Sequence, residues 1–232
     1  MRTLLAAALA RVVGLLLGAG VPVGWLGSWG PTAEEWSTGP LEGDPPESAR
    51  LLAEDGLDDA TRDGLAQAWR DDALAAHRSL AALGALSVDL VVLGAPPELV
   101  AAVSEASLEE VRRARTCFTV ARRIDGRSAV LVTSEIGPRR ANDREAALAA
   151  ITAEVSRFAS RRTLLARVHA KLSRRATDMT LRRVLEGMAR TDAQHVERAW
   201  SIVRWCLAEG GDAAARALSA SLLEAGPPAA PR

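Results

Sequence analysis

Between residues 61 and 93 apolar side chains return every three or four positions, at Leu65, Trp69, Ala73, Ala76, Leu80 and Leu83. That spacing lays one apolar stripe along a helix, and no proline interrupts it. Gly94 is placed to end the helix, and Pro96 and Pro97 suit the first turn of the next. The second helix presents Leu99, Val103, Leu108, Val111 and Phe118 and runs to about Ile124, where Asp125 and Gly126 stop it. Residues 127–141 hold Gly137, Pro138 and the short β-branched run Val130–Thr133, too long a stretch for a tight hairpin, so a crossover is predicted. A third helix is predicted to open at Asn142 as N-cap, with Glu145 in the capping-box position, and to continue to about Ala176. Thr177 is predicted to cap a fourth helix, Asp178–Glu209, closed by Gly210 and Gly211. A short helix, Asp212–Glu224, and a Pro-rich tail follow.

Two long hairpins joined by one long crossover are the connectivity of a ferritin-like four-helix bundle. The predicted class is therefore all-α, with the bundle over residues 59–210 and a short C-terminal helix and tail over 211–232. Each predicted helix of the bundle is about 45 Å long at the helical rise per residue.

Ahead of the bundle, Arg2 precedes an apolar run, Leu4–Leu17, and then the small residues Gly18, Ala19 and Gly20. This is the layout of a secretory signal, although Arg11 interrupts it. Extended to Leu26, the run is just long enough to span a bilayer, so a retained anchor and an unremarkable N-terminal segment stand beside the signal reading. The chain is expected to be exported or held at the cell envelope. Residues 27–58 are rich in Gly and Pro and predict a linker, with Trp25, Trp29 and Trp36 in or beside it, packed loosely on the helices or at a membrane interface.

Composition narrows the chemistry. Of 232 residues, 29 are basic and 29 acidic, so no net positive field exists to hold nucleic acid by counterion release. Cys117 and Cys206 are the only cysteines, which excludes a disulfide scaffold and a Cys-rich zinc site. They are expected to be two separate buried thiols. With only His77, His169 and His195 available, any metal site must lean on carboxylates. His77 reads as a hydrogen-bonded core histidine. His169, beside Arg167 and Lys171, reads as part of a solvated face.

Several words of the chain point to one family: Trp69 with Ala76-His77-Arg78-Ser79, Leu93-Gly94-Ala95-Pro96-Pro97-Glu98-Leu99-Val100, Glu109-Glu110-Val111-Arg112-Arg113-Ala114-Arg115 with Cys117-Phe118, and Thr191-Asp192-Ala193-Gln194-His195 with Ala199-Trp200. In these the chain resembles a group of bacterial ferritin-like domain proteins over roughly residues 60–210. The resemblance implies a two-metal carboxylate site, with one Glu on each of two helices and a Glu-x-x-His pair on each of the others. Against that pattern Ala76 stands where a ligand Glu belongs, Arg113 replaces a histidine, and Arg157 and Arg162 fall where glutamates belong. Glu110, Asp192 and His195 survive as a vestigial metal set.

The charges make these departures coherent. Glu110 and Asp192 carry two negative charges that Arg113 and Arg157 neutralise, so a core ion-pair cluster of Glu110, Arg113, Arg157 and Asp192 is expected in place of the metals. The resulting expectation is a non-catalytic helical domain without cofactor. The alternatives are an iron- or manganese-binding oxidoreductase or iron-handling protein that uses Glu110, Asp192 and His195, and an envelope protein-interaction module. Substrate, partner and oligomeric state are not encoded in any motif.

Overall fold

The computed structural model describes Trp36, residues 56–127 and residues 143–224. The N-terminal apolar run, most of the linker, the predicted crossover and the Pro-rich tail lie outside the described residues. Four helices account for nearly all that is described: α1 (Asp59–Val92), α2 (Pro97–Asp125), α3 (Arg144–Ser173) and α4 (Met179–Glu224). No strand occurs among the described residues.

The helix ends are built from short polar side chains and glycines. Asp58 caps α1, accepting from the Thr61 amide at 2.8 Å and from its hydroxyl at 3.0 Å. Those hydrogen bonds hold its carboxyl below the usual carboxylate range. At the other end of α1, Ala95 N–H donates to Leu90 O and Gly94 N–H to Val91 O, the paired bonds of a Schellman motif. The motif needs a left-handed residue, and Gly94 supplies it at φ 72°. Pro97 begins α2, where its missing N–H costs no hydrogen bond.

The cap predicted at Asn142 lies outside the described residues; Asp143 beside it accepts from the Ala146 amide at 2.8 Å. The cap predicted at Thr177 moves by one residue, since Asp178 accepts from Thr180 and Leu181 at 2.8 and 3.0 Å. In each case a carboxylate neighbours the expected cap and adds a full negative charge at the positive end of the helix dipole.

The predicted C-terminal helix is present, continuous in hydrogen bonding with α4 but set off by Gly211, whose φ 50° and ψ −131° are not helical. Residues 188–210 run antiparallel to α3, as the Arg162–Asp192 and Arg144–Glu209 ion pairs show. Residues 212–224 turn back and run parallel to α3: Ser221 meets Ser156 at 2.6 Å, and Glu224 meets Arg157 at 3.2 Å. Gly210 lies against α3 so closely that a Cβ there would stand 3.0 Å from the Leu148 Cβ.

The described chain divides into two compact units. The first contains the α1 residues up to Ala82, α2 from Ser107, and the α3–α4 turn from Leu172 to Gly187. Its buried apolar residues include Trp69, Ala73, Ala76, Phe118 and Ile124. α1 and α2 are antiparallel here, tied by Arg70 to Asp125 and by Arg113 to Asp72. The second unit contains Leu83–Ala106, α3 up to Lys171, and α4 from Met188. Its core gathers Leu86, Leu90, Leu148, Ile151, Val203 and Cys206. Burying each of the larger aliphatic side chains contributes roughly 1.5–3 kcal/mol.

The outer face at the end of α1 is apolar: Val88, Val91 and Val92 are all more than half exposed. α1 is also the one helix among the described residues long and apolar enough to cross a membrane, by length and composition.

Candidate functional site

The predicted site residues fall into two buried polar clusters, one in each unit. In the first unit, Glu110 and Arg113 sit one turn apart on α2, and both side chains are buried. Glu110 Oε2 accepts from Ser79 Oγ on α1 at 2.9 Å. Arg113 Nη2 donates to both oxygens of Asp72 at 3.1 Å. Cys117, the next turn along α2, donates its thiol to Asp72 Oδ2 at 3.3 Å. Burial, and after it the Asp72 charge, push the Cys117 thiol well above its ordinary range, so the sulfur stays protonated. This thiol is a hydrogen-bond donor inside an ion pair, and neither a nucleophile nor a metal ligand in that state.

The second cluster is built on Asp192, whose side chain is wholly buried on α4. Its two oxygens are held from α3: Oδ1 by Arg162 Nη1 at 2.8 Å and Oδ2 by His169 Nδ1 at 2.7 Å. Arg162 and His169 are seven residues apart, two helical turns, so they share one face of α3. The Arg162 guanidinium also lies over the Phe158 ring, 5.0 Å from its centroid. The same phenyl stacks on His195 at 6.0 Å, and His195, one turn beyond Asp192, is 1% exposed.

Three expectations need correction. Arg157 does not enter a core ion-pair cluster: its side chain is about half exposed and pairs with Glu224. Positions 157 and 162 differ by five residues, about 140° around the helix, so only one of them can face inward. The structure turns Arg162 inward and sends Arg157 to the surface. His169 is not part of a solvated face, being 5% exposed and bonded to Asp192. Nor is His77 held by hydrogen bonding at Nδ1, which is buried without a partner; the ring meets Trp36 edge-on instead. Burial, with the neighbouring Arg78 charge second, lowers the His77 pKa and favours the neutral ring.

Both cysteines are buried and free. Asp72 was not singled out from the sequence, yet its position carried a signal. It lies three residues after Trp69 and four before Ala76, in the middle of the apolar stripe, where an acid demands a buried partner.

What these groups can do follows from their partners. Asp192 meets a permanently charged guanidinium and an imidazole, and Asp72 meets a guanidinium and a thiol. Each carboxylate is neutralised by hydrogen-bond donors of its own chain. Among the described residues no three His, Cys, Asp or Glu side chains are grouped so as to hold a metal ion. Comparison with known protein families, characterised proteins and solved structures finds no match.

Proposed function

We propose that this chain is a non-catalytic ferritin-like helical domain, exported or held at the cell envelope, in which arginine–carboxylate pairs take over the neutralising role of a lost two-metal site. The observation that carries the reading is Asp192, a fully buried carboxylate with both oxygens engaged by Arg162 and His169. A divalent ion entering there would have to displace one of these donors and lie against a guanidinium that cannot deprotonate. Arg113, standing where the family pattern has a ligand histidine, is itself committed to Asp72. The donor set therefore does not suit a two-metal centre. The role that remains is structural or binding, exercised through the helix surfaces.

Metal content of the purified protein tests this, together with melting in the presence of Fe(II), Mn(II) or chelator. The expected result is no stoichiometric metal and an unchanged Tm. A metal bound at a hundred times its Kd would stabilise the fold by about 2.7 kcal/mol, a shift of several degrees. About two metal ions per chain would overturn the reading. One observation favours the alternative, an altered metal site: Asp192 and His195 remain buried at ligand spacing on α4. Oxygen uptake after anaerobic Fe(II) loading would establish it.

A further inference from the structure

No carboxylate occurs between Glu154 and Asp178, and along that stretch the outer side of α3 changes character. From Arg157 to the end of the helix its exposed residues are Arg157, Arg161, Leu164, Arg167 and Lys171, four cations and one leucine. At about 100° per residue they fall within about one third of the helix circumference, on a face about 21 Å long. All five belong to the second unit. The opposite side of the same turns carries Val155, Ala159, Arg162 and His169, which are buried.

The fold makes little use of this outer face. Glu224 engages Arg157 at 3.2 Å, whereas Arg161, Arg167 and Lys171 form no ion pair among the described residues. Leu164, at the centre of the face, is 41% exposed. The formal charge of the whole chain is zero, so the cations here are a local concentration and not a share of a general excess. Successive cations stand about 6–9 Å apart along the axis, within the screening length of about 10 Å at moderate salt, so they act together on a charged surface.

A leucine set among cations fits the headgroup layer of an acidic bilayer. Guanidinium and ammonium groups meet the phosphates, their alkyl stems lie along the interface, and the leucine enters the acyl boundary. The phosphate backbone of a nucleic acid offers the same cations partners but gives Leu164 no apolar surface. We propose that the α3 face of Arg161, Leu164, Arg167 and Lys171 docks the domain on an anionic phospholipid bilayer. The inference names the partner for the binding role proposed above and rests on the chain being exported or held at the envelope. Each cation at such a surface raises the partition coefficient about fivefold, so the three unpaired ones together contribute about a hundredfold.

The test uses the full chain with a polarity-sensitive dye on Leu164→Cys; the native thiols are fully buried and do not compete. This position reports the α3 face whether or not the N-terminal segment enters the bilayer. Vesicles of phosphatidylcholine with about one third phosphatidylglycerol are expected to shift the dye emission to the blue. Phosphatidylcholine alone should leave it unshifted, and about 1 M salt, where the screening length falls to about 3 Å, should reverse the shift. Arg161→Gln/Arg167→Gln/Lys171→Gln should weaken the response about a hundredfold at unchanged helicity, while Arg161→Lys/Arg167→Lys keeps it. Arg78→Gln/Arg112→Gln/Arg204→Gln removes as many exposed cations elsewhere and should leave the response intact. No shift on the acidic vesicles, an equal shift on neutral ones, or an equal loss in the two triple variants would each overturn the docking face. Tighter binding to a short DNA duplex at the same salt, lost in the α3 triple variant, would assign the face to nucleic acid and overturn it as well. Metal content, measured on the same preparation, judges the non-catalytic reading separately.

Discussion

Replacing Arg162 by methionine removes the guanidinium from Asp192 while keeping most of the apolar stem that packs on Phe158. In the native fold the two charges meet at 2.8 Å between Nη1 and Oδ1, with side chains 8% and 0% exposed. At a charge separation near 4 Å and an effective dielectric of 20, their attraction is about 4 kcal/mol. Loss of the cation–π contact with Phe158 adds about 0.5–2 kcal/mol. His169 stays on Oδ2 and returns part of this by serving as the remaining donor. The expected net cost is about 3–5 kcal/mol, as for other buried pairs broken on one side. For a domain of this size that corresponds to a fall in Tm of about 10 °C.

Urea unfolding monitored by circular dichroism, with the slope checked for constancy, gives the number directly. The double variant Arg162→Met/Asp192→Leu is the control. With the buried charge gone it should recover at least half of the loss, because what destabilises the single variant is the carboxylate left without its cation. A cost below about 1 kcal/mol for Arg162→Met, or a double variant no more stable than the single, would refute the reasoning. Either result would mean that Asp192 is not held mainly by this pair.

Other outcomes follow from single features. Gly211→Ala places a side chain at φ 50° and ψ −131°, a region that side chains avoid, and should cost about 1–3 kcal/mol by the same unfolding assay. The thiols of Cys117 and Cys206 should resist a disulfide reagent in the native protein and titrate as two per chain only after denaturation, whereas one fast-reacting thiol would contradict the burial of both. His77, with its folded pKa below the ordinary 6.5, takes up a proton more readily once unfolded. Its contribution is therefore full above pH 6.5 and is lost as the pH falls from there through the folded value. Tm should decline across that window and decline less in His77→Gln; equal slopes in the two proteins would exclude His77 as the source.

The helices were legible because their signals are local and redundant. The stripe from Leu65 to Leu83, Gly94 followed by two prolines, and Gly126 after Asp125 each act within a few residues of chain. The break at Gly211 was legible for the same reason. The cap of α4 slipped by one residue where two capping side chains stand in a row, Thr177 with Asp178, since either fits and the choice rests on helix phase.

The polar clusters were legible only in part. Glu110, Arg113 and Asp192 stood out as charges at inward positions, and all three are buried. Arg157 and Arg162 could not be separated without knowing the rotation of α3. His169 was misread because Arg167 and Lys171 flank it, yet residues two apart on a helix point about 160° away from each other. The charge of those neighbours therefore says little about the face that His169 occupies. Asp72 needed a partner from another helix before its place in the apolar stripe made sense.

The reversal at Gly211 has a consequence for how copies of this chain can meet. One glycine in a conformation that side chains avoid separates a long helix from a segment that packs back on α3 through the Ser156–Ser221 and Arg157–Glu224 contacts. If residue 211 relaxes to helical angles, the two segments become one straight rod, and residues 212–224 leave their seat on α3. The same seat on a second molecule then offers them identical partners, so nothing new has to evolve for two chains to exchange these arms. A substitution that straightened the hinge would therefore be expected to favour such a reciprocally exchanged pair over the self-contained chain.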